Sequence, residues 1–284
     1  MLDVRTRTAP PQLWFVVSAT FHYLGPAFAV LLFTRVDVLG VAWLRIATAA
    51  VVLGLWSRPG RTWAAADGAT RRLLAAWGAV LAVMNCCFYL AIDRLPLGTV
   101  AAIEFVSVVG LAALGLRTRR NTVALAMVVA GVYLLTHVVL VDDPLGVALA
   151  VANAVLFCGY VVLGHRGATE TGVGPVEGLA ISMLVATAVA APVGLVDAVG
   201  AVTDPVALAA AAGVGVCSSV VPYLCDQLAM AQLPRATYAL MVALLPATAT
   251  VVGALVLRQV PTSAEAAGVA LVVAAVAIHD EVEP

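Results

Sequence analysis

Long apolar runs recur along the whole chain, broken only by short polar turns. They are continuous and do not alternate, so they read as helices and not as the strands of a membrane barrel. A span needs about 20 mostly apolar residues, and ten segments meet that, at roughly 12–33, 36–56, 73–92, 97–116, 122–141, 145–164, 178–200, 206–229, 236–257 and 264–279. Turns such as Asp142-Asp143-Pro144, Thr203-Asp204-Pro205 and Leu95-Pro96 separate them. The pattern predicts an all-α membrane protein with ten transmembrane helices and no soluble domain. The first segment follows Arg5 and Arg7, as a signal peptide would. Its apolar stretch is too long and ends without a clear small-residue cleavage site, so it reads as a retained span.

Composition sharpens this picture. Of 284 residues, 63% are hydrophobic and 11% charged, with a mean hydropathy of +1.06. A soluble domain of this size has no way to hide that much apolar surface, whereas a bilayer removes the need. The net charge of −1 gives no footprint for nucleic acid. All 15 basic residues are arginine. Without lysine there is neither a Walker A phosphate loop nor a Schiff-base nucleophile. Cys86, Cys87, Cys158, Cys217 and Cys225 lie in apolar segments without zinc-type spacing, and read as small packing residues. No metal or cofactor is expected.

Arginine placement predicts orientation. With a cytoplasmic N-terminus, Arg5, Arg7, Arg58, Arg61, Arg71, Arg72, Arg117, Arg119, Arg120, Arg166 and Arg235 fall inside. Arg35, Arg94 and Arg258 fall outside, and Arg45 lies within a span. An even number of spans then returns the C-terminus to the cytoplasm.

The chain also resembles itself. At an offset of 138 residues, Leu90, Ala91, Leu95, Pro96, Thr99, Ala101 and Gly115 match Leu228, Ala229, Leu233, Pro234, Thr237, Ala239 and Gly253. The match lays the third and fourth spans on the eighth and ninth. Five spans per unit is odd, so residues 1–141 and 142–284 are expected as two inverted five-helix repeats. Inverted repeats are typical of secondary transporters, whose site lies near the membrane midplane between them.

Several local patterns resemble the EamA-type branch of the drug/metabolite transporter superfamily, and most of all its bacterial threonine/homoserine exporters. The third and fourth spans carry the likeness in Met84-Asn85, Phe88-Tyr89, Ile92, Pro96-Leu97-Gly98 and Glu104-Phe105. Pro222-Tyr223, Asp226, Leu233-Pro234, Pro246 and Leu44-Arg45 extend it over nearly the whole chain. The resemblance implies a ten-span exporter of small metabolites driven by proton exchange. The family's proline soon after the fourth-span glutamate is Val108 here. The glutamate usual before Pro246 is Leu245, and Arg258-Gln259 stands where Gly-Glu often ends the ninth span. These departures bear on substrate and coupling, not on fold.

Glu104 is the sharpest candidate for chemistry, because an acid inside a span must be paired, protonated or hydrated. Arg45 sits at similar depth. A central arginine costs roughly 2.5–3.5 kcal/mol on insertion scales, so it needs a partner, and Glu104 is the expected one. Asn85, Phe88, Tyr89 and Ile92 share a helical face by i, i+3, i+4 and i+7 spacing. Tyr223, Asp226 and Gln227 form a similar group near the inner end of the eighth span. The expected substrate and proton-coupling residues are Glu104, Arg45, Asn85, Tyr89, Asp226 and Tyr223. His22, Phe88, Asn153, Tyr160 and Gln227 are expected cavity-wall residues, and His137 is a weaker titratable candidate. Gly25-Pro26 is expected to bend the first helix.

The partners this implies are a small-molecule substrate, the lipid bilayer and protons as coupling ion, with a homodimer left open. The expected function is export of small polar metabolites, most of all amino acids, through the cytoplasmic membrane. Efflux of hydrophobic cations or drugs is the alternative within transport. An intramembrane enzyme is the rival from another class. No H-E-x-x-H, G-x-S-x-G or Gly-Asp motif supports it.

Overall fold

The computed structural model describes residues 11–95, 97, 100–101, 103–104, 118–136, 143–233, 238, 245, 248, 252 and 263–278. Among them the regular structure is entirely helical. In chain order the helices are α1 (Pro11–Leu32), α2 (Val38–Ser57), α3 (Pro59–Ala65), α4 (Gly68–Arg94), α5 (Arg119–Thr136), α6 (Pro144–Thr169), α7 (Pro175–Val202), α8 (Pro205–Met230) and α9 (Ser263–Ile278). Six of these, α1, α2, α4, α6, α7 and α8, are long and apolar enough to cross a membrane. Most of the fourth and ninth predicted spans, and His137, lie outside the described residues. Where described, Leu97, Val100, Ala101, Ile103 and Glu104 are helical, as are Tyr238, Leu245, Thr248 and Val252.

Each long helix has a buried side and an exposed apolar side. Leu55, Trp56 and Val196 are exposed, as befits groups that meet lipid and not water. The inner faces are rich in alanine, which lets backbones come close where lipid gives no hydrophobic drive for association. α2 lies along α7, and α5 along α9. α4 packs on α6 and α7, and α1 on the C-terminal part of α8. Hydrogen bonds pin two of these seams: Trp43 Nε1 donates to the Thr187 carbonyl at 3.1 Å, and Ser182 Oγ to the Leu74 carbonyl at 3.0 Å.

Aspartates cap the helices that start at turns. Asp67 accepts from Thr70 N–H at 2.7 Å, Asp143 from Gly146 N–H at 2.9 Å, and Asp204 from Val206 N–H at 2.9 Å. Two of them also meet arginine: Arg35 lies 3.3 Å from Asp204, and Arg94 lies 3.4 Å from Asp143. These are two of the arginines that the charge pattern leaves on the acidic side.

α1 runs through Gly25-Pro26 as one continuous helix. What Gly25 provides is proximity. A Cβ there would stand 1.9 Å from Ser218 Oγ, so only glycine lets α1 touch α8 at this level.

Candidate functional site

The centre of α8 is the most irregular part of the bundle. Val216–Val220 form a π-helical turn, closed by Val221 N–H on the Val216 carbonyl. Proline at 222 has no N–H to give the carbonyl four residues back, which is Ser218. That carbonyl is satisfied from another helix: Arg45 Nη2 donates to it at 3.0 Å. The same guanidinium donates to Ser219 Oγ at 2.7 Å and to Tyr223 Oη at 3.0 Å. Its Cζ also lies 5.2 Å from the Tyr89 ring centroid and 5.7 Å from that of Tyr223. A buried arginine of α2 is thus held by a proline-freed carbonyl, a serine and two tyrosines.

The expected partner of Arg45 was Glu104. The guanidinium bonds named above run to α8, where they fill a carbonyl left open by proline. Glu104, also buried, accepts from Asn153 Nδ2 of α6 at 3.1 Å. The two charges still face one space. A cavity of about 20 Å³ lies between Arg45, Glu104, Asn153, Asn85 and Tyr223, with His22, Pro26, Met84, Phe88 and Phe157 completing its described wall. Asn85 turns its amide nitrogen to the Leu81 carbonyl at 2.7 Å and offers its oxygen to Tyr223 Oη at 3.4 Å.

Seven of the residues picked from sequence therefore meet at the chamber: His22, Arg45, Asn85, Phe88, Glu104, Asn153 and Tyr223. Tyr89 reaches Arg45 with its ring. Gln227 lies beside Gly164 and Met230, at the α6–α8 seam.

Asp226 and Tyr160 belong to a second cluster. Asp226 is 2% exposed, although it lies near the end of α8. Tyr160 Oη donates to its Oδ2 at 3.0 Å, Ser18 Oγ donates to its Oδ1, and Tyr238 adds a third hydroxyl. Four aromatic rings link this cluster to the chamber. His22 contacts Phe157 (6.2 Å between centroids), Phe157 contacts Tyr160 (5.5 Å), Tyr160 contacts Tyr223 (5.4 Å) and Tyr223 contacts His22 (6.5 Å), so the circuit closes.

Sequence reasoning missed Ser18, Phe157, Ser218, Ser219 and Tyr238. Spacing held part of the signal. Ser18 lies four residues before His22, and Asn153, Phe157 and Tyr160 follow at i, i+4 and i+7, so each set shares a face. Ser218 was readable from Pro222, since a mid-helix proline always frees the carbonyl four residues earlier.

Apolar outer faces around an enclosed chamber with one cation and one carboxylate define a multi-pass membrane protein that works from the inside of its helix bundle. Residues 144–279 match the EamA-like transporter family. It is 29% identical over 280 residues to "Threonine/homoserine exporter RhtA" of Salmonella typhimurium (strain LT2), covering 95% of this chain and 92% of that protein. The protein of that name from Escherichia coli (strain K12) is 29% identical over 258 residues, with 88% and 84% covered. A solved structure described only as "Crystal structure of protein" superposes with a TM-score of 0.72 at 18% identity, over 94% of this chain and 95% of that one. That likeness shows the fold alone.

Proposed function

We propose that the chain is a secondary exporter of small amino acids, exchanging them for protons, with the Arg45/Glu104 chamber as its site. One observation carries the reading: a buried guanidinium and a buried carboxylate open on the same small space. A zwitterion needs both, its carboxylate toward Arg45 and its ammonium toward Glu104, with the Asn85 and Asn153 amides beside them. The exporters it resembles are named for threonine and homoserine, which are zwitterions of this kind. A hydrophobic cation gains nothing from Arg45, which disfavours the drug-efflux alternative.

The cavity of about 20 Å³ admits about one water. An ordinary ligand site measures ~300 Å³ or more. The site is therefore collapsed in this conformation, and loading widens it.

Alternating access follows from two inverted five-helix units, residues 1–141 and 142–284. The packing supports this reading. Under the 138-residue offset α1 corresponds to α6, α2 to α7, and α4 to α8. The α4–α6 contact then mirrors α8–α1, and α4–α7 mirrors α8–α2, while α2 and α7 pair with each other. Asn85 and Tyr223, themselves 138 residues apart, touch, as residues on a two-fold axis do. The Arg35–Asp204 and Arg94–Asp143 pairs put the ends of four segments at matching levels. Two crossings between 94 and 143, as ten spans would have, are compatible with the Arg94–Asp143 pair.

Counterflow of radiolabelled threonine and homoserine in proteoliposomes, against a panel of cationic drugs, tests the reading. Amino-acid exchange that an imposed pH gradient accelerates is the expected result. Exchange of cations alone overturns it.

A further inference from the structure

We propose that Asp226 is a second proton-binding site and the latch of the inner gate, separate from the chamber acid Glu104. The inference rests on the exporter reading for its place in a transport cycle.

Three features of Asp226 lead to it. First, it ties segments together. Ser18 comes from α1, Tyr160 from α6 and Tyr238 from the ninth predicted span, and all three hydroxyls donate to one carboxylate on α8. Second, the cluster is joined to the chamber wall. His22, Phe157 and Tyr223 line the chamber, and Tyr160, which holds Asp226, packs its ring against both Phe157 and Tyr223. A movement that releases Asp226 from Tyr160 therefore reaches the chamber wall. Third, it lies deep. Asp226 is about 30 Å along α8 from the Asp204 cap, at 1.5 Å per residue, toward the end that arginine placement assigns to the cytoplasm.

The chemistry of a carboxyl makes this arrangement sensitive to one proton. An ionised carboxylate only accepts, so it can hold three hydroxyl donors. Protonated, it must donate through one oxygen and is no longer charged, so at least one hydroxyl has to turn from donor to acceptor and the charge-assisted bonds weaken. The protonated form therefore favours opening toward the cytoplasm. When Asp226 gives its proton to cytoplasmic water, the hydroxyls return and the floor closes over loaded substrate. The titratable groups that face it are Tyr160 of α6, Tyr238 of the ninth span, and Tyr223 and Cys225 of its own helix.

The test reads accessibility and needs no substrate. Met84, on the chamber wall, is changed to cysteine in the full chain after the five native cysteines are replaced by alanine. Inside-out membrane vesicles are then treated with a membrane-impermeant maleimide. Asp226→Asn and Ser18→Ala should each raise the labelling rate, by about tenfold for the loss of a hydrogen bond to a charged group. Because the thiolate is the reacting form, the parent's rate is divided by that of Asp226→Asn at each pH, and this ratio should rise as pH falls. Ser18→Ala keeps the acid and both tyrosines, so it guards against a misfolded Asn variant. Unchanged labelling in both variants at every pH overturns the latch. Counterflow by the unmodified chain is measured separately, so loss of the amino-acid reading leaves the accessibility result standing, and the reverse.

Discussion

Glu104 and Asp226 are both buried carboxylates, yet their surroundings differ. Glu104 opens on a cavity and meets an amide, Asn153. Asp226 is packed among hydroxyls of Ser18, Tyr160 and Tyr238. An amide beside a cavity can be exchanged for a ligand group, because something can enter. Three hydroxyls drawn from three other segments have no such substitute, so they hold helices in place. The contrast teaches that burial alone does not distinguish a ligand-facing acid from a holding one. What distinguishes them is whether the partners can be replaced without moving a helix.

The strongest way to break the contrast is to remove a charge at each place. Glu104→Gln should reduce transport driven by a pH gradient to background while leaving the protein folded, as measured by flux in proteoliposomes and by thermal unfolding. Gradient-driven flux at the parent rate in this variant would remove Glu104 from coupling. Arg45→Ala should hurt stability as well as flux. It leaves the Ser218 carbonyl and Ser219 without their donor, and breaking a buried charged network costs roughly 3–5 kcal/mol. A melting temperature equal to the parent's in detergent would show that the network is not structural.

Smaller effects sharpen the comparison. Pro222→Ala restores an N–H that can take the Ser218 carbonyl and release one Arg45 bond. That bond is worth about 1.5–3 kcal/mol to a charged group, so a ten- to hundredfold loss of substrate affinity in equilibrium binding is expected without loss of fold. Tyr160→Phe keeps the ring in the aromatic circuit and deletes only its hydroxyl. It should leave binding at the chamber nearly unchanged and speed unfolding.

The smallest effect lies at the turns. Cap donation from Gly146 N–H and the neighbouring Arg94 hold the Asp143 carboxyl below its ordinary 3.8. Ala207 N–H and, more weakly, Arg35 do the same for Asp204. A lowered folded value stabilises above the unfolded one, so this contribution is complete at neutral pH. It is lost only as pH falls below about 3.8. Asp143→Asn should therefore flatten the acid limb of an unfolding profile by slightly lowering stability in the neutral region, with the two proteins converging at the acid end.

Much of the helical layout was legible in the sequence, because a bilayer forces long apolar runs to be helices. The chamber was legible in part for the same reason: Arg45, Glu104 and Asn153 are polar where polarity is costly. The partners Arg45 takes on α8 were less visible: depth is one coordinate, and it does not show that the Ser218 carbonyl freed by Pro222 lies across the bundle within reach of the guanidinium. The burial of Asp226 was not legible, because distance along a helix says nothing about what covers its end. Ser18 and Tyr238 come from remote segments, and no local pattern announces a hydroxyl's distant acceptor.

The π-turn of α8 has a consequence for helix phase. Val216–Val220 hold one more residue per turn than an α-helix does. Rewinding that turn to α geometry would rotate everything after it by about 100° and shift it by about 1.5 Å. Tyr223 and Asp226 lie after the turn, while the Asp204 cap lies before it. The two ends of α8 are therefore joined by a screw with one spare step. Arg45 is seated on that step, through the Ser218 carbonyl and the Ser219 hydroxyl.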